Sequence, residues 1–175
     1  MKKLKLEELD RLDIEAFKKA GKTPVIIILD NVRSMHNVGS IFRSCDAFRV
    51  EKLILCGISP RPPHREINKT ALGATESVDW EYYEDIESLI DSMCADYYLC
   101  GMEQTDQSIS LDAFSFPENK KLAVVLGNEI NGISDYVINK VDSCIEIPQY
   151  GTKHSLNVSV AAGILLYQLH ALYNK

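Results

Sequence analysis

Asn37 and Arg43 stand six positions apart, just after an aliphatic run and a polar loop, and both could take part in phosphate chemistry. The guanidinium of arginine is a planar fork that donates two parallel hydrogen bonds, which suits the recognition of a phosphate. Asn37 stands where a helix would begin, so we expect its side chain to cap that helix. Arginine alone is most often a solvated surface charge, so this pair gains weight only from the rest of the chain.

A second group of residues lies at the end of the stretch 122–127 and just after it. It contains two glycines, Gly127 and Gly132, that bracket Asn128 and Glu129. Glycine lets a backbone turn tightly and approach a ligand closely. The spacing is neither G-x-G-x-x-G nor a phosphate-binding loop that ends in Gly-Lys-Ser/Thr. Glu129 has a purely structural alternative, which is to place negative charge at the start of the next helix.

The third group lies in residues 147–162, which join a strand end, a Pro/Gly loop and an apolar helix. Ser155 and Asn157 stand where that helix opens, and both residue types accept hydrogen bonds from unpaired first-turn N–H groups. His154 lies beside them, and we interpret it as a residue of the loop surface. Helix caps are common, so the whole stretch is more informative than either capping residue.

Alternating aliphatic and amphipathic segments indicate the elements that position these groups. We predict strands at 25–29, 52–56, 78–82, 97–101, 122–127 and 143–147. We predict helices at 5–20, 37–48, 85–93, 134–140 and 155–173. Such alternation is typical of an α/β fold with a mostly parallel sheet and helices on both faces. Ligands bind such sheets outside the carboxyl ends of the strands, where all three groups are expected to lie.

The last predicted helix is apolar around most of its circumference, from Leu156 to Leu169. A helix of this kind must be buried on several sides. In a small domain one side can face the sheet and another a second subunit, so we predict a homodimer. The alternative is a central helix that is completely buried within one chain.

Composition limits the classes of protein that need consideration. The 175 residues are enough for one domain, and no stretch reads as a membrane span or a signal peptide. The five cysteines are scattered and form no C-x-x-C pair, so neither a zinc site nor a disulfide framework is indicated. We therefore expect free thiols, no metal and a cytoplasmic location.

The net charge of −6 is distributed unevenly along the chain. Residues 1–70 carry 14 Lys and Arg against 9 Asp and Glu, a net charge of +5, and residues 71–175 carry a net charge of −11. A nucleic acid would therefore meet the N-terminal half. An uneven charge distribution is also common in proteins that bind no nucleic acid.

These three groups together resemble the three signature motifs of the SpoU/TrmH family of RNA ribose 2′-O-methyltransferases, which belongs to the SPOUT class. The matching stretches are 29–48, 125–134 and 147–162, and the resemblance extends over residues 24–172. It implies a SPOUT methyltransferase domain at 23–175, preceded by a helical extension at 1–22. It also implies a deep trefoil knot at the C-terminal end of the domain, a feature that is very rare among folds.

The resemblance assigns roles to individual residues. Those implied in catalysis are Asn37, Arg43, Glu129, Ser155 and Asn157. Those implied in binding S-adenosylmethionine are Leu126, Gly127, Asn128, Gly132, Ile147, Gln149, Ser155 and Leu156. Those that would contact RNA are Arg33, Arg43, Arg61, Arg65 and Lys69. Gln149 departs from the family pattern, in which methionine is frequent at this position.

The family's matching arginine is the proposed general base for the ribose 2′-hydroxyl, which is awkward because the pKa of arginine lies far above neutrality. Positioning of the phosphate beside the reacting ribose is the alternative role for Arg43. We expect the substrate to be tRNA, because ribosomal-RNA relatives often carry an additional N-terminal RNA-binding domain. Ribosomal RNA is the alternative substrate.

Three rival functions differ in what they would require. Methylation of a base nitrogen, as in other SPOUT members, fits the Asn37/Arg43 and Ser155/Asn157 pattern less well than ribose methylation. A non-catalytic RNA-binding paralogue would be expected to lose Arg43, Glu129 or Asn157, and all three are present. A dinucleotide-binding module lacks its glycine fingerprint here.

Overall fold

The computed structural model describes residues 1–117 and 119–173, and in these residues seven strands alternate with helices. The strands are β1 (Thr23–Asp30), β2 (Val50–Cys56), β3 (Trp80–Tyr83), β4 (Tyr97–Met102), β5 (Ile109–Ser110), β6 (Lys121–Leu126) and β7 (Ser143–Glu146). The helices are α1 (Ile14–Lys19), α2 (Met35–Ala47), α3 (Arg65–Ala71), α4 (Ala74–Ser77), α5 (Ile86–Met93), α6 (Asp135–Ile138) and α7 (Val158–Tyr173). Six of the seven strands lie where the sequence predicts them, within a few residues.

The strands form one sheet in the order β3-β2-β1-β6-β4-β7-β5. Every neighbouring pair is parallel, so the sheet is fully rather than mostly parallel. All carboxyl ends of the strands therefore lie along one edge of the sheet. The predicted α/β architecture is confirmed.

The core lies on both faces of the sheet, and β1 shows why. Its run of β-branched and leucine side chains is buried throughout, which suits a central strand covered on both sides. Val25, Ile27 and Leu29 belong to the core cluster on the side of α2 and α7. Ile26 and Ile28 belong to the cluster on the side of α5 and α6. Each such side chain contributes about 1.5–3 kcal/mol on burial.

Helix α7 packs beside α2 and leaves one apolar stripe uncovered. A Cβ built at Gly163 would lie 3.8 Å from Ser44 Oγ, and the rings of Phe48 and Tyr167 are 6.2 Å apart. The buried residues of α7 are Ala162, Leu165, Leu166 and Leu169. Val160, Ile164 and Tyr167 are 49%, 40% and 66% exposed. Complete burial of this helix within one chain, the alternative considered above, is therefore wrong.

The predicted N-terminal helix at 5–20 is also wrong. The chain forms a single 3-10 turn at Leu6–Glu8 and then the short α1, which Asp13 caps by accepting a hydrogen bond from the Ala16 N–H at 2.8 Å. Asp10 takes a left-handed conformation with φ of 48° between the two segments. Leu4, Leu9 and Leu12 are exposed, so these three leucines contribute no burial that would stabilise a continuous helix.

Several local expectations need correction. Asn37 does not cap α2, because Ser34 does: its Oγ accepts the Asn37 N–H at 3.3 Å. The final helix begins at Val158 rather than at position 155, since Asn157 Oδ1 accepts the Ser159 N–H at 2.9 Å. Helix α3 and the two-residue β5 were not predicted. None of the helices in the described ranges is long and apolar enough to cross a membrane.

Candidate active site

A cavity of about 460 Å³ opens at the carboxyl ends of β4, β6 and β7 and beside the start of α7. Its volume lies in the range of small-molecule sites. Eight residues that the sequence analysis connected with a cofactor line it together: Leu126, Gly127, Asn128, Gly132, Ile147, Gln149, Ser155 and Leu156. Glu129 and Asn157 also line the cavity. The second and third groups of residues therefore meet at one place, as expected for parallel strands.

The glycine loop after β6 is closed on itself by its backbone. Asn128 N–H donates to Gly132 O at 2.9 Å, and Gly132 N–H donates to Asn128 O at 3.0 Å. A Cβ at Gly127 would lie only 2.2 Å from the carbonyl carbon of Gly132, and Gly132 itself has φ of +69°. Both positions therefore require glycine. The result is a compact loop whose backbone forms a wall of the cavity.

Glu129 joins this loop to the start of α2. Its Oε2 accepts the Arg33 N–H at 2.9 Å, and its Oε1 accepts the Ser34 N–H at 3.0 Å and the Asn37 side-chain amide at 2.8 Å. Burial alone would raise the pKa of Glu129, but these donors outweigh it and hold the pKa below the ordinary value of 4.5. The side chain is therefore ionised near neutral pH and is suited to anchoring rather than to proton transfer.

Asn37 continues the same chain of hydrogen bonds toward α7. The side chain of Asn37 is only 8% exposed, and its Oδ1 accepts the side-chain amide of Asn157 at 3.0 Å. Asn157 Oδ1 in turn accepts the Ser159 hydroxyl at 2.6 Å. One polar network thus connects Glu129, Asn37 and Asn157, one residue from each of the three groups.

Two residues that the sequence analysis missed connect the surrounding loops. Asp30 is buried, and its Oδ2 accepts the Ser134 N–H at 2.8 Å, which fixes the start of α6. Asn31 Oδ1 accepts the Ile58 N–H at 3.1 Å, and the Asn31 carbonyl accepts the Asn128 amide at 2.7 Å. A carboxylate at the end of a fully aliphatic strand was the signal that could have revealed this connection.

Other lining residues follow strands that carry no recognisable motif. Met102, Glu103 and Gln104 lie at the end of β4, and Ile145 and Glu146 lie at the end of β7. Since these strands are parallel to their neighbours, their carboxyl ends had to reach the same edge. The order of the strands in the sheet, which the sequence does not reveal, decides that β4 adjoins the glycine loop and that β7 follows beyond it.

Arg43 does not line the cavity of its own chain. It is exposed on α2, more than two helical turns beyond its start, in a shallow groove shared with Lys69 of α3. Within a single chain, Glu129, Ser155 and Asn157 line the cavity, whereas Arg43 lines the separate groove. Sequence spacing could not reveal this, because it does not define where the helix lies relative to the cavity.

The other basic residues connected with RNA lie at the surface. Arg33 is exposed, although its backbone N–H is used by Glu129. The guanidinium of Arg61 stacks 4.1 Å from the centre of the Tyr82 ring. Arg65 is exposed on α3, and Lys69 pairs with Glu66 at 2.7 Å. No group of three or more His, Cys, Asp or Glu in residues 1–117 and 119–173 could hold a metal ion.

Comparison with known proteins assigns the chain to a family. The sequence profile of the SpoU rRNA Methylase family matches residues 24–167. The chain belongs to this family. The resemblance noted in the three motifs is thereby confirmed over most of the chain.

The chain is similar in sequence to individual members of the family. It is 33% identical, over 148 residues, to a tRNA (guanosine(18)-2′-O)-methyltransferase of Aquifex aeolicus, covering 82% of this chain and 67% of that one. The chain spans about two thirds, from 61% to 67%, of the length of the curated relatives it matches.

Solved structures share the fold. The crystal structure of an A. aeolicus TrmH/SpoU tRNA modifying enzyme superposes with a TM-score of 0.78 at 28% identity, covering 92% of this chain and 80% of the other. The SpoU methyltransferase AviRb of Streptomyces viridochromogenes, crystallised with AdoMet, gives 0.79 at 23% identity, covering 90% and 63%.

Proposed function

We propose that the chain transfers the methyl group of S-adenosylmethionine to the ribose 2′-oxygen of an RNA, with tRNA as the favoured substrate. The observation that carries this proposal is the polar network from Glu129 through Asn37 to Asn157 at the wall of the cavity. In a SpoU family member this network would present Asn157 and the neighbouring Ser155 to a ribose placed at the cavity mouth.

The cavity fits S-adenosylmethionine in size and charge. Three carboxylates, Glu103, Glu129 and Glu146, line it, whereas its lining within the described ranges includes no lysine or arginine. A sulfonium cation is favoured where negative charge surrounds it. The apolar side chains of Leu126, Ile147 and Leu156 would contact the adenine. The glycine loop would offer backbone groups for hydrogen bonds to the cofactor.

When bound, the cofactor supplies a methyl group activated by its positively charged sulfur. The protein's task is then to align the attacking oxygen and to assist the loss of its proton. Asn157 is held in place by Asn37 and Ser159, so its orientation is fixed before RNA arrives. Ser155 lies at the cavity with a hydroxyl that can donate to or accept from the ribose. No metal is required for this alignment.

We further propose that two chains pair through the stripe formed by Val160, Ile164 and Tyr167. These residues recur at helical spacing and are exposed, as expected for an interface that lacks its partner. Since α2 packs beside α7, a chain that covers this stripe would lie next to Arg43. Arg43 of the partner subunit would then complete the site, either as the base or by positioning the phosphate beside the reacting ribose.

The RNA would lie across the basic N-terminal half. Arg33, Arg61, Arg65 and Lys69 lie on the loops and helix that follow β1 and β2, and Lys69 shares a groove with Arg43. Phosphate contacts of this kind give affinity and register without reading the sequence. These phosphate contacts would therefore not select the modified nucleotide, which requires contacts to the bases.

The family resemblance supports three further parts of the proposal. Residues 1–22 would be an extension to a methyltransferase domain at 23–175, in agreement with the profile match that begins at residue 24. The C-terminal part would form a trefoil knot, which the traced path of a crystal structure can test. A cytoplasmic location follows from the proposed RNA substrate.

The deciding experiment incubates the purified protein with methyl-labelled S-adenosylmethionine and either total tRNA or ribosomal RNA from a strain that lacks this gene. The RNA is digested and the labelled nucleoside is identified. We expect a 2′-O-methylnucleoside from tRNA. Label in ribosomal RNA would show that ribosomal RNA, and not tRNA, is the substrate. Label on a base would contradict ribose methylation. Absence of label with intact cofactor binding would favour the non-catalytic RNA-binding alternative.

A further inference from the structure

Glu103 is a cavity residue to which the sequence motifs assign no role. It follows β4 directly, and Met102 before it pairs in register with Leu126 of β6. Glu103 is therefore level with Gly127, the first residue of the glycine loop. Its carboxylate lines the same cavity as that loop.

The carboxylate of Glu103 is held in a fixed position. Its Oε1 accepts the Gln104 N–H at 3.0 Å, and its Oε2 accepts the Ile133 N–H at 3.1 Å. A Cβ at Gly132 would lie 2.3 Å from Oε2, so this glycine leaves the space that the carboxylate occupies. An ionised carboxylate has about four lone-pair sites, and two backbone donors leave each oxygen able to accept again.

The other carboxylates of the cavity are placed differently. Glu129 already accepts three hydrogen bonds that anchor α2. Glu146 is the last residue of β7, which lies on the far side of β4 from β6. Glu103 is thus the cavity carboxylate that adjoins the glycine loop and retains acceptor capacity on both oxygens.

We propose that Glu103 accepts hydrogen bonds from the ribose hydroxyls of S-adenosylmethionine, an inference that rests on the proposed function. A vicinal diol presents two O–H donors side by side, and the fixed carboxylate presents two oxygens at matching separation. An acidic residue at a strand end near a glycine loop meets a ribose in this way in doubly wound nucleotide-binding sheets. Glu103 therefore helps the site to distinguish a ribonucleoside cofactor from its deoxy counterpart.

The test measures dissociation constants by calorimetry for S-adenosylhomocysteine and for its 2′-deoxy and 3′-deoxy analogues. Wild-type protein should bind at least one analogue about tenfold more weakly than the parent compound, as expected for a hydrogen bond to a charged acceptor. Glu103→Gln and Glu103→Asp should both reduce this ratio to within about twofold, because the acceptor is neutralised or withdrawn. Glu146→Gln, the matched control, also removes a cavity carboxylate; it should change the affinity for all three compounds by the same factor and so keep the wild-type ratio.

A purely structural role for Glu103 gives a different result. Loosening of the glycine loop would weaken the parent compound and both analogues by the same factor, and an unchanged ratio in both variants would overturn the inference. Equal affinity of wild-type protein for all three compounds would also overturn it while leaving the proposed function intact. Wild-type protein that binds none of them would contradict the proposed function and the inference together.

Discussion

The side-chain amide of Asn157 donates a hydrogen bond to Asn37 Oδ1 over 3.0 Å, although the two residues are 120 positions apart. Asn37 uses its own amide to donate to Glu129. Donors therefore run in one direction along the network and end on a carboxylate, which accepts only. Asn37 is buried and is both donor and acceptor, so water cannot replace either hydrogen bond. Loss of either bond should therefore lower the stability of the fold.

Replacement of Asn37 by aspartate should be more harmful than replacement by alanine. Asn37→Asp places a second carboxylate against Glu129, whereas Asn37→Ala removes one donor and one acceptor without adding charge. We expect Asn37→Ala to lower the free energy of unfolding by about 1–3 kcal/mol, with a larger loss for Asn37→Asp. Urea denaturation measures both. His36→Ala, an exposed neighbouring change, should alter stability by less than about 1 kcal/mol.

The contribution of Glu129 to stability should depend on pH. Its donors depress the folded-state pKa, so the stabilisation is present above the ordinary value of 4.5 and is lost as the pH falls through the lower folded-state value. The excess stability of the wild type over Glu129→Gln should therefore be greatest near neutrality and shrink in acid. Thermal denaturation from pH 7 to pH 3 measures this difference. A difference that grows in acid would contradict the interpretation.

Gly132→Ala should impair cofactor binding through the shape of the loop. The new Cβ would meet the Glu103 carboxylate at 2.3 Å, and the φ of +69° disfavours any side chain. We expect the affinity for S-adenosylhomocysteine to fall by about tenfold or more, corresponding to a strain of 1–3 kcal/mol. Gly151→Ala, where a Cβ would have no neighbour within 4 Å, is the control and should bind normally.

Charge introduced into the apolar stripe of α7 should separate the proposed dimer. Ile164→Glu and Tyr167→Glu change exposed residues, so the folded monomer should remain intact while association weakens. Light scattering after gel filtration would show half the wild-type mass, and circular dichroism would show unchanged helix content. A wild-type protein that is already monomeric at micromolar concentration would contradict the proposed interface.

Subunit mixing should reveal whether Arg43 acts across the dimer. Arg43→Ala and Asn157→Ala should each reduce methylation by about 100-fold or more if they serve the reaction. After the two variants are mixed and allowed to exchange, activity should return, because a mixed dimer contains one site with both residues intact. No recovery, with exchange verified by differently tagged chains, would place Arg43 in the site of its own chain.

Secondary structure was predictable where a segment's hydrophobic pattern also matched its burial. The aliphatic runs of β1 and β6 could belong only to central strands, and both were predicted within two residues. Leu4, Leu9 and Leu12 follow helical spacing but are exposed, so the same kind of pattern misled there. Helical periodicity describes a face, and only tertiary contact decides whether that face is buried.

The candidate site was predictable as a set of residues but not as a network. Strand ends and glycine spacing identified most of the cavity wall. They could not show that Asn37 bonds to Glu129 instead of capping its helix, because the helix begins earlier and Ser34 caps it by accepting the Asn37 N–H. They also could not identify Glu103, whose importance depends on β4 lying next to β6.

The order of the strands has a consequence for behaviour at high concentration. The sheet is bounded by β3 and β5, with four and two residues, whereas the aliphatic β1 lies third from one edge. Exposed strand edges invite other chains to add to a sheet, and short edges discourage it. Strand β1, the most aggregation-prone segment, is thus paired on both sides, by β2 and β6. Ordered association between copies of the chain would have to use the helices.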